Sequence, residues 1–309
     1  MGYKLTIAIP TYNRKDMLER CLNSIIPQMD KDIEIFISDN ASSDGTEEMV
    51  REKFNYPFIR YRKNEENIGS DRNFIQCFNN GQGEYIHMLS DDDIVLPGTI
   101  EAILEYIALC PSMICLNSCI IKENENVMPN TEYRKHEDMM NFIEDAGVQI
   151  TFLSGMVLRQ EYVNKVKDKD RFIGTNFPQS YIAFECLAQG TNAIVKKTPG
   201  IGFQDGSAHG YNFYHVWTTE YLKLINYLVK LGCSQKQVKR FAIKSLNRDI
   251  VGFILGFRIY GTDLDMSGRK ELLLQIAKYP QCWILLMAAA YTPRVILQIG
   301  SKIKHKLIR

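Results

Sequence analysis

Four short apolar runs, each followed by a polar stretch and then a helical pattern, set the fold class of the first hundred or so residues. The runs cover residues 5–9, 33–37, 58–61 and 85–89. Helical periodicity marks 15–26, 47–53, 70–79 and 98–109. Strands that are apolar without alternation are buried on both faces, and intervening helices of about 10–15 residues supply the cover. The expected architecture is α/β, with a Rossmann-like, mostly parallel sheet and helices on both faces. Ligands of such sheets gather at the carboxyl ends of the strands. The unusual polar residues fall at those ends: Pro10-Thr11-Tyr12-Asn13-Arg14 after the first run, Ser38-Asp39-Asn40-Ala41-Ser42-Ser43-Asp44-Gly45 after the second, and Asp91-Asp92-Asp93 after the fourth.

Further along, a strand is expected over 113–121, a polar surface loop over 122–141, and a strand over 151–158 interrupted by Gly155. An interior glycine marks a bulge or the close approach of backbone or ligand. A loop runs into a helix over 176–187, and a strand follows over 192–197. After residue 214 the pattern turns helical, over 220–231, 234–257 and 269–278, with a break at 263–268. We therefore expect one α/β domain over 1–215 and a C-terminal helical appendage over 216–309.

A formal net charge of +1 excludes nucleic-acid binding by bulk electrostatics. The eight cysteines form no Cys-x-x-Cys pair, which points to reduced thiols and a cytoplasmic setting. Cys110, Cys115 and Cys119 do not suit zinc, because their flanks read as a helix end and a strand. The start leads straight into a strand, with no leader pattern. The longest apolar run, 282–291, is half of the ~20 residues a membrane span needs. The expectation is a soluble or membrane-surface protein.

Three adjacent aspartates at the end of a buried strand repel one another and need a counter-charge. A divalent cation carrying a diphosphate supplies one; a solvated acidic loop is the alternative. Asp39 and Asp44 flank a loop able to meet a base edge, or to cap the helix that Glu47 and Glu48 begin. Asn67-Ile68-Gly69-Ser70-Asp71-Arg72-Asn73 is a glycine turn entering a helix, with Ser70 as cap and Arg72 and Asn73 directed toward a diphosphate or base. His87, inside a strand, reads as a core histidine.

As a set, Ile9-Pro10-Thr11-Tyr12-Asn13-Arg14, Ser38 to Thr46, Asn67-Ile68-Gly69 and Ser90-Asp91-Asp92-Asp93 resemble the family 2 glycosyltransferases, which have the GT-A fold. The resemblance covers roughly the first 115 residues. It implies a catalytic domain that binds a nucleotide-sugar and passes the sugar to a saccharide acceptor. Pro10, Thr11, Tyr12, Asn13, Arg14 and Asp39 would hold the nucleoside, joined by Asn67, Arg72 and Asn73. Asp91, with Asp92 beside it, would lie near the ribose. Asp93 would bind Mn2+ or Mg2+ bridging the diphosphate. In many GT-A enzymes a histidine from a loop at this stage of the chain joins the metal or diphosphate; His209 is the candidate here, with His215 second.

One departure bears on the chemistry. Inverting members carry a Glu-Asp or similar pair at the start of the acceptor-side helix, acting as general base. Gln179 and Ser180 fall there in this sequence, with Glu185 a turn or more later. A neutral Gln179 takes no proton. Either Glu185, Asp170 or Asp205 supplies the base, or Gln179 sits on the sugar's reacting face in a retaining, front-side reaction. This departure and the Phe152-Leu153-Ser154-Gly155 strand are similar to O-antigen transferases of 3,6-dideoxyhexoses such as abequose. A polyprenyl-diphosphate-linked acceptor at the inner face of the cytoplasmic membrane would follow. Consistent with that, Ile296, Ile299, Ile303 and Leu307 recur at helical spacing among Lys302, Lys304, Lys306 and Arg309, an amphipathic pattern suited to an anionic leaflet. Packing on its own protein, or a dimer contact, is the other use for such a helix. Two rival functions are a sugar-phosphate nucleotidyltransferase, which wants a glycine-rich loop where Pro10 to Arg14 has none, and a non-catalytic nucleotide-sugar binder, which the missing Glu-Asp pair favours.

Overall fold

The computed structural model describes residues 2–120, 131–190, 192–203, 212–260, 272–274 and 277–307. The chain forms two compact units, Met1–Asp205 and Gly206–Arg309.

The first unit opens with β1 (Leu5–Thr11), α1 (Lys15–Ile25), β2 (Ile33–Asp39), α2 (Thr46–Lys53), β3 (Ile59–Lys63), α3 (Ser70–Asn80) and β4 (Tyr85–Met88). Every residue of β1, β2 and β4 is buried, which is why their sequences run apolar without alternation. β1 pairs in parallel with β2 on one side and β4 on the other, and β2 pairs in parallel with β3. In α1, Leu18, Cys21, Leu22 and Ile25 recur at helical spacing and pack against Leu5, Ile7, Ile9 and Ile33.

Next come β5 (Ile94–Val95), α4 (Thr99–Ile107), β6 (Met113–Ile120), β7 (Tyr133–His136), α5 (Met139–Ala146), β8 (Met156–Arg159), α6 (Gln160–Lys165), α7 (Pro178–Leu187) and β9 (Ala193–Phe203). The sheet order is β3-β2-β1-β4-β8-β6-β9-β5, with β7 also paired to β9. This half is mixed. β8 runs antiparallel to both β4 and β6, and β5 and β7 run antiparallel to β9, while β6 and β9 are parallel. The parallel reading thus holds for the first four strands, and β8 turns the sheet mixed.

Two local expectations change. Residues 151–158 are not one strand: two 3₁₀ turns, Gly147–Thr151 and Leu153–Gly155, precede a strand that starts at Met156. A Cβ on Gly155 would stand 3.0 Å from the Leu116 carbonyl oxygen, so the close approach there is to the β6 backbone. The described part of 122–141 is not a loop either. It holds β7 and the start of α5, whose cap Asp138 accepts from the Asn141 amide at 2.8 Å. β7 is an exposed strand bearing Arg134 and Lys135, and such edges are polar because charge discourages further pairing.

In the second unit a π turn, His215–Glu220, leads into α8 (Tyr221–Lys230). The helix expected over 234–257 is α9 (Gln235–Ser245) and α10 (Val251–Tyr260), joined through a π turn at Leu246–Ile250. Of the helix expected over 269–278, residues 272–274 are helical; the break at 263–268 lies outside the described residues. α11 (Trp283–Tyr291) and α12 (Arg294–Leu307) follow.

Candidate active site

Because β1, β2 and β4 are neighbours and parallel, the loops after them meet at one edge. Register pairs Thr11 with Asp39, and the Asn40 amide donates to the Thr11 carbonyl at 2.9 Å. The loops are then laced by side chains. The Asn13 amide donates to Ser42 Oγ and the Ser43 amide to Asn13 Oδ1, each at 2.8 Å. Asn13 and Ala41 stand in the left-handed region, φ 51° and 68°, which turns each strand end sharply. Asp44 accepts from the Lys15 amide at 2.9 Å and the Thr46 amide at 3.2 Å, so it serves two helix N-termini.

Asp39 is fully buried and accepts from the Ser42 amide at 2.9 Å and from the Tyr61 hydroxyl. Burial, and the carboxylate beside it, push the Tyr61 hydroxyl far above its ordinary range, so it remains a donor. Asn40 Nδ2 donates to Asn67 Oδ1 at 2.8 Å, and Asn40 Oδ1 accepts from the Ile68 amide at 2.9 Å, which fastens the glycine turn before α3. Arg72 is exposed there and makes no hydrogen bond or ion pair with a described residue. The side chain of Asn73, which the sequence directs toward a diphosphate or base, is instead taken up by the end of β2. It is buried, accepts from Ser38 Oγ at 2.7 Å and donates to the Ser38 carbonyl at 2.9 Å, which ties α3 to β2.

The acidic turn completes the site. Asp91, 3% exposed, accepts from Thr11 Oγ1 at 2.7 Å and Arg14 Nη1 at 3.1 Å. The same Arg14 nitrogen lies 3.0 Å from Asp92 Oδ2, and Ser90 Oγ donates to Asp92 Oδ1 at 2.6 Å. Arg20 donates to the Asp92 carbonyl. Part of the counter-charge that the triplet needs therefore comes from Arg14, just before α1, and from Arg20 on it. Asp93, 4% exposed, accepts from Ser154 Oγ at 2.5 Å, while Ser154 Oγ also accepts from the Ser90 amide at 2.9 Å. The other Asp93 oxygen accepts no hydrogen bond from a described residue. Burial, opposed by Thr11 and Arg14, pushes Asp91 up to about 6. Burial, then the charges of Asp92 and Asp91, push Asp93 up to about 7. Behind the turn, burial lowers His87 to about 4, and its Nε2 lies 2.8 Å from the Ser154 carbonyl. The ring is neutral and Nε2 carries the proton, since a carbonyl only accepts.

α7 bears on this turn at one remove. Gln179, at its start, is 5% exposed and donates from Nε2 to the Thr151 carbonyl at 3.1 Å, in the 3₁₀ segment that leads to Ser154. Gln179 Oε1 and Ser180 Oγ are buried without a hydrogen-bond partner. Glu185 is the one residue of α7 that is not buried, and its carboxylate pairs with Arg171. A carboxylate engaged by a guanidinium is a poor general base, which counts against Glu185 in that part. Asp170 is exposed on the turn Lys169–Phe172. Asp205 and His209 lie outside the described residues; His215 sits 3.2 Å from Glu220. Among the described residues no three His, Cys, Asp or Glu side chains converge on one point as a ready cation cage.

Sequence reasoning missed Ser154 and Arg20 as parts of the acidic site. The signal for Ser154 was a lone hydroxyl in an apolar stretch; Arg20, on a mostly polar helix face, carried none.

The site can be set beside known proteins. The pattern described as Glycosyl transferase family 2 matches residues 6–167, more than half of the chain. An abequosyltransferase, RfbV, of Salmonella typhimurium is 32% identical over 202 residues, 58% of this chain and 59% of that protein. A GalNAc(5)-diNAcBac-PP-undecaprenol beta-1,3-glucosyltransferase of Campylobacter jejuni is 34% identical over 104 residues, 33% of this chain and 34% of its own. The chain thus matches less than two thirds of the length of either relative. Among solved structures, S. aureus TarS 1-349 in complex with UDP-GlcNAc superposes with a TM-score of 0.62 at 16% identity, over 93% of this chain and 81% of that one. The mannosyltransferase PcManGT of Pyrobaculum calidifontis, in complex with GDP-Man and Mn2+, gives a TM-score of 0.57 at 14% identity, over 97% and 88%. The two solved structures share the fold, and on the match over residues 6–167 the chain belongs to glycosyl transferase family 2.

Proposed function

We propose that the protein moves a sugar from a nucleotide-sugar to a polyprenyl-diphosphate-linked saccharide, with a divalent cation, in O-antigen-type synthesis of a bacterial surface polysaccharide. One observation carries the reading: a buried carboxylate, Asp93, stands in the turn after β4, beside the loop that follows β1, and beyond its bond from Ser154 its other oxygen accepts none from a described residue. The abequosyltransferase supports the polysaccharide setting, and the relative named for a PP-undecaprenol substrate supports a lipid-linked acceptor. Such an acceptor stays in the bilayer, so the enzyme would work at the inner face of the cytoplasmic membrane.

The residues fit a hard cation. Mn2+ or Mg2+ prefers carboxylate, phosphate and water oxygens, and a single Asp93 oxygen leaves room for the donor's phosphates to fill the shell. A bound cation would neutralise charge that develops on the leaving diphosphate. The chain's own contribution is positional and electrostatic. Asp39, Asn40 and Asn13 fix the shape of the nucleoside side. Arg14 and Arg72 bring positive charge to the diphosphate side. Asp91 is held by Thr11 for contact with the ribose.

The test is donor hydrolysis and transfer with Mn2+, screened over UDP, GDP, CDP and dTDP sugars. Asp93→Ala should lose at least about 100-fold in kcat; full activity in that variant would refute the cation role. A second reading, a nucleotide-sugar binder without catalysis, is favoured by Glu185 being held by Arg171. Calorimetric binding of a nucleoside diphosphate, with no turnover on any lipid-linked acceptor, would decide for it.

A further inference from the structure

We propose that α11 and α12 together form a one-leaflet membrane anchor, a bent helix pair whose outer apolar faces enter an anionic bilayer surface. The proposal deepens the function above by naming the surface involved, and rests on that reading only for where the acceptor lies.

The apolar surface is larger than the terminal helix alone. α11 has no charged residue. Its inward side, Leu286, Ala289 and Ala290, is buried at helical spacing. Its outward side exposes Trp283 by 54%, Ile284 by 82% and Leu285 by 49%. α12 exposes Val295 by 64%, Ile296 by 58% and Ile299 by 53%. A helix facing water carries polar residues on its outer side, and apolar surface gathered on this scale marks a contact.

The pair is held bent. Its two helices, Pro280–Tyr291 and Arg294–Ser301, are inclined by 97° across the break at Thr292 and Pro293. Arg258 of α10 donates from Nη1 to the Ala289 carbonyl and from Nη2 to the Thr292 carbonyl at 2.6 Å. These carbonyls lie in the last turn of α11 and at its C-cap, where intrahelical donors run out. Gln298 Nε2 donates to the Ile259 carbonyl at 3.2 Å, which fixes α12 to the same support. Among the described residues no single helix is long and apolar enough to cross a membrane. The nine residues of α11 rise only about 14 Å, half of a ~30 Å hydrocarbon core. A bend near a right angle after that length turns the chain along the surface rather than on across it.

Charge selects the occupant. From residue 280 to the end there are five Lys and Arg, at 294, 302, 304, 306 and 309, and no Asp or Glu. An anionic headgroup layer complements that. A second copy does not, because it would bring a segment of the same charge face to face with this one.

The experiment is sedimentation of the full chain with vesicles of phosphatidylcholine alone or mixed with phosphatidylglycerol, free of polyprenyl lipid and sugar nucleotide. Binding is expected to be about ten-fold tighter to the mixed vesicles, with a blue shift in tryptophan emission that Trp283→Phe removes. The double variant Ile284→Glu, Ile296→Glu should bind about ten-fold more weakly, melt as the parent does, and keep its activity on a water-soluble acceptor. Equal vesicle binding by parent and double variant would overturn the proposal. So would a discrete dimer, by light scattering, that the double variant disperses. Failure of sugar transfer would leave the vesicle result intact, so the two readings fail separately.

Discussion

Asp93→Asn should stabilise the fold above neutral pH while it abolishes transfer. Asp93 is nearly fully buried and its carboxyl titrates at about 7, against an ordinary 3.8. Between those values the native state holds a proton that the unfolded chain has lost. Stability is therefore full below 3.8 and declines as pH rises through 7. The gap is about three units, so at pH 8 ionised Asp93 costs the fold up to ~4 kcal/mol, and at pH 5 about 1–2 kcal/mol. Asparagine has the same shape, carries no charge, and keeps an oxygen to accept from Ser154 Oγ. The variant should recover most of that difference. At about 2–4 °C per kcal/mol for a unit of this size, the melting temperature should rise by roughly 8–15 °C at pH 8 and by only a few degrees at pH 5. The assay is a thermal melt at both pH values in EDTA, alongside donor hydrolysis with Mn2+. Added Mn2+ should raise the parent more than the variant and narrow the gap, since a ligand of the native state alone stabilises it. A variant that melts below the parent at pH 8, or a gain equal at both pH values, would refute the reasoning.

Other perturbations follow from the same site. Arg14→Gln removes the cation shared by Asp91 and Asp92; calorimetry should show nucleoside diphosphate binding about ten-fold weaker, with little change in fold. Ser154→Ala leaves Asp93 without its hydroxyl donor and should cost about 1 kcal/mol in urea unfolding at pH 8, with the Asp93 titration moved higher. His87 acts at the acid end. Its folded value of about 4 lies below the ordinary 6.5, so stability should fall as pH drops from 6.5 to 4, by up to ~3 kcal/mol, and His87→Gln should flatten that part of the curve.

Much of the first unit was legible because burial on both faces leaves a direct mark. β1, β2 and β4 are apolar throughout and lie where their runs place them, and each is followed by the polar loop that forms the site edge. β8 left no such mark of direction: three buried residues and a half-buried Arg159 read the same whether parallel or antiparallel to β4. β7 was hidden for the opposite reason, since an exposed edge strand has the composition of a loop.

Sequence by itself determined the family, the strand ends that bear the acidic turn, and the apolar, cationic character of the last thirty residues. Those are properties of residue type and spacing along one chain. Tertiary structure decided which groups meet. Asn73 turned in to Ser38, Glu185 was taken by Arg171, Ser154 came from sixty-one positions away to hold Asp93, and Arg258 reached two carbonyls at the bend of the final helix pair. Periodicity records whether a side chain is buried, whereas a hydrogen bond or ion pair needs two atoms within about 3 Å, and only the folded chain sets that distance.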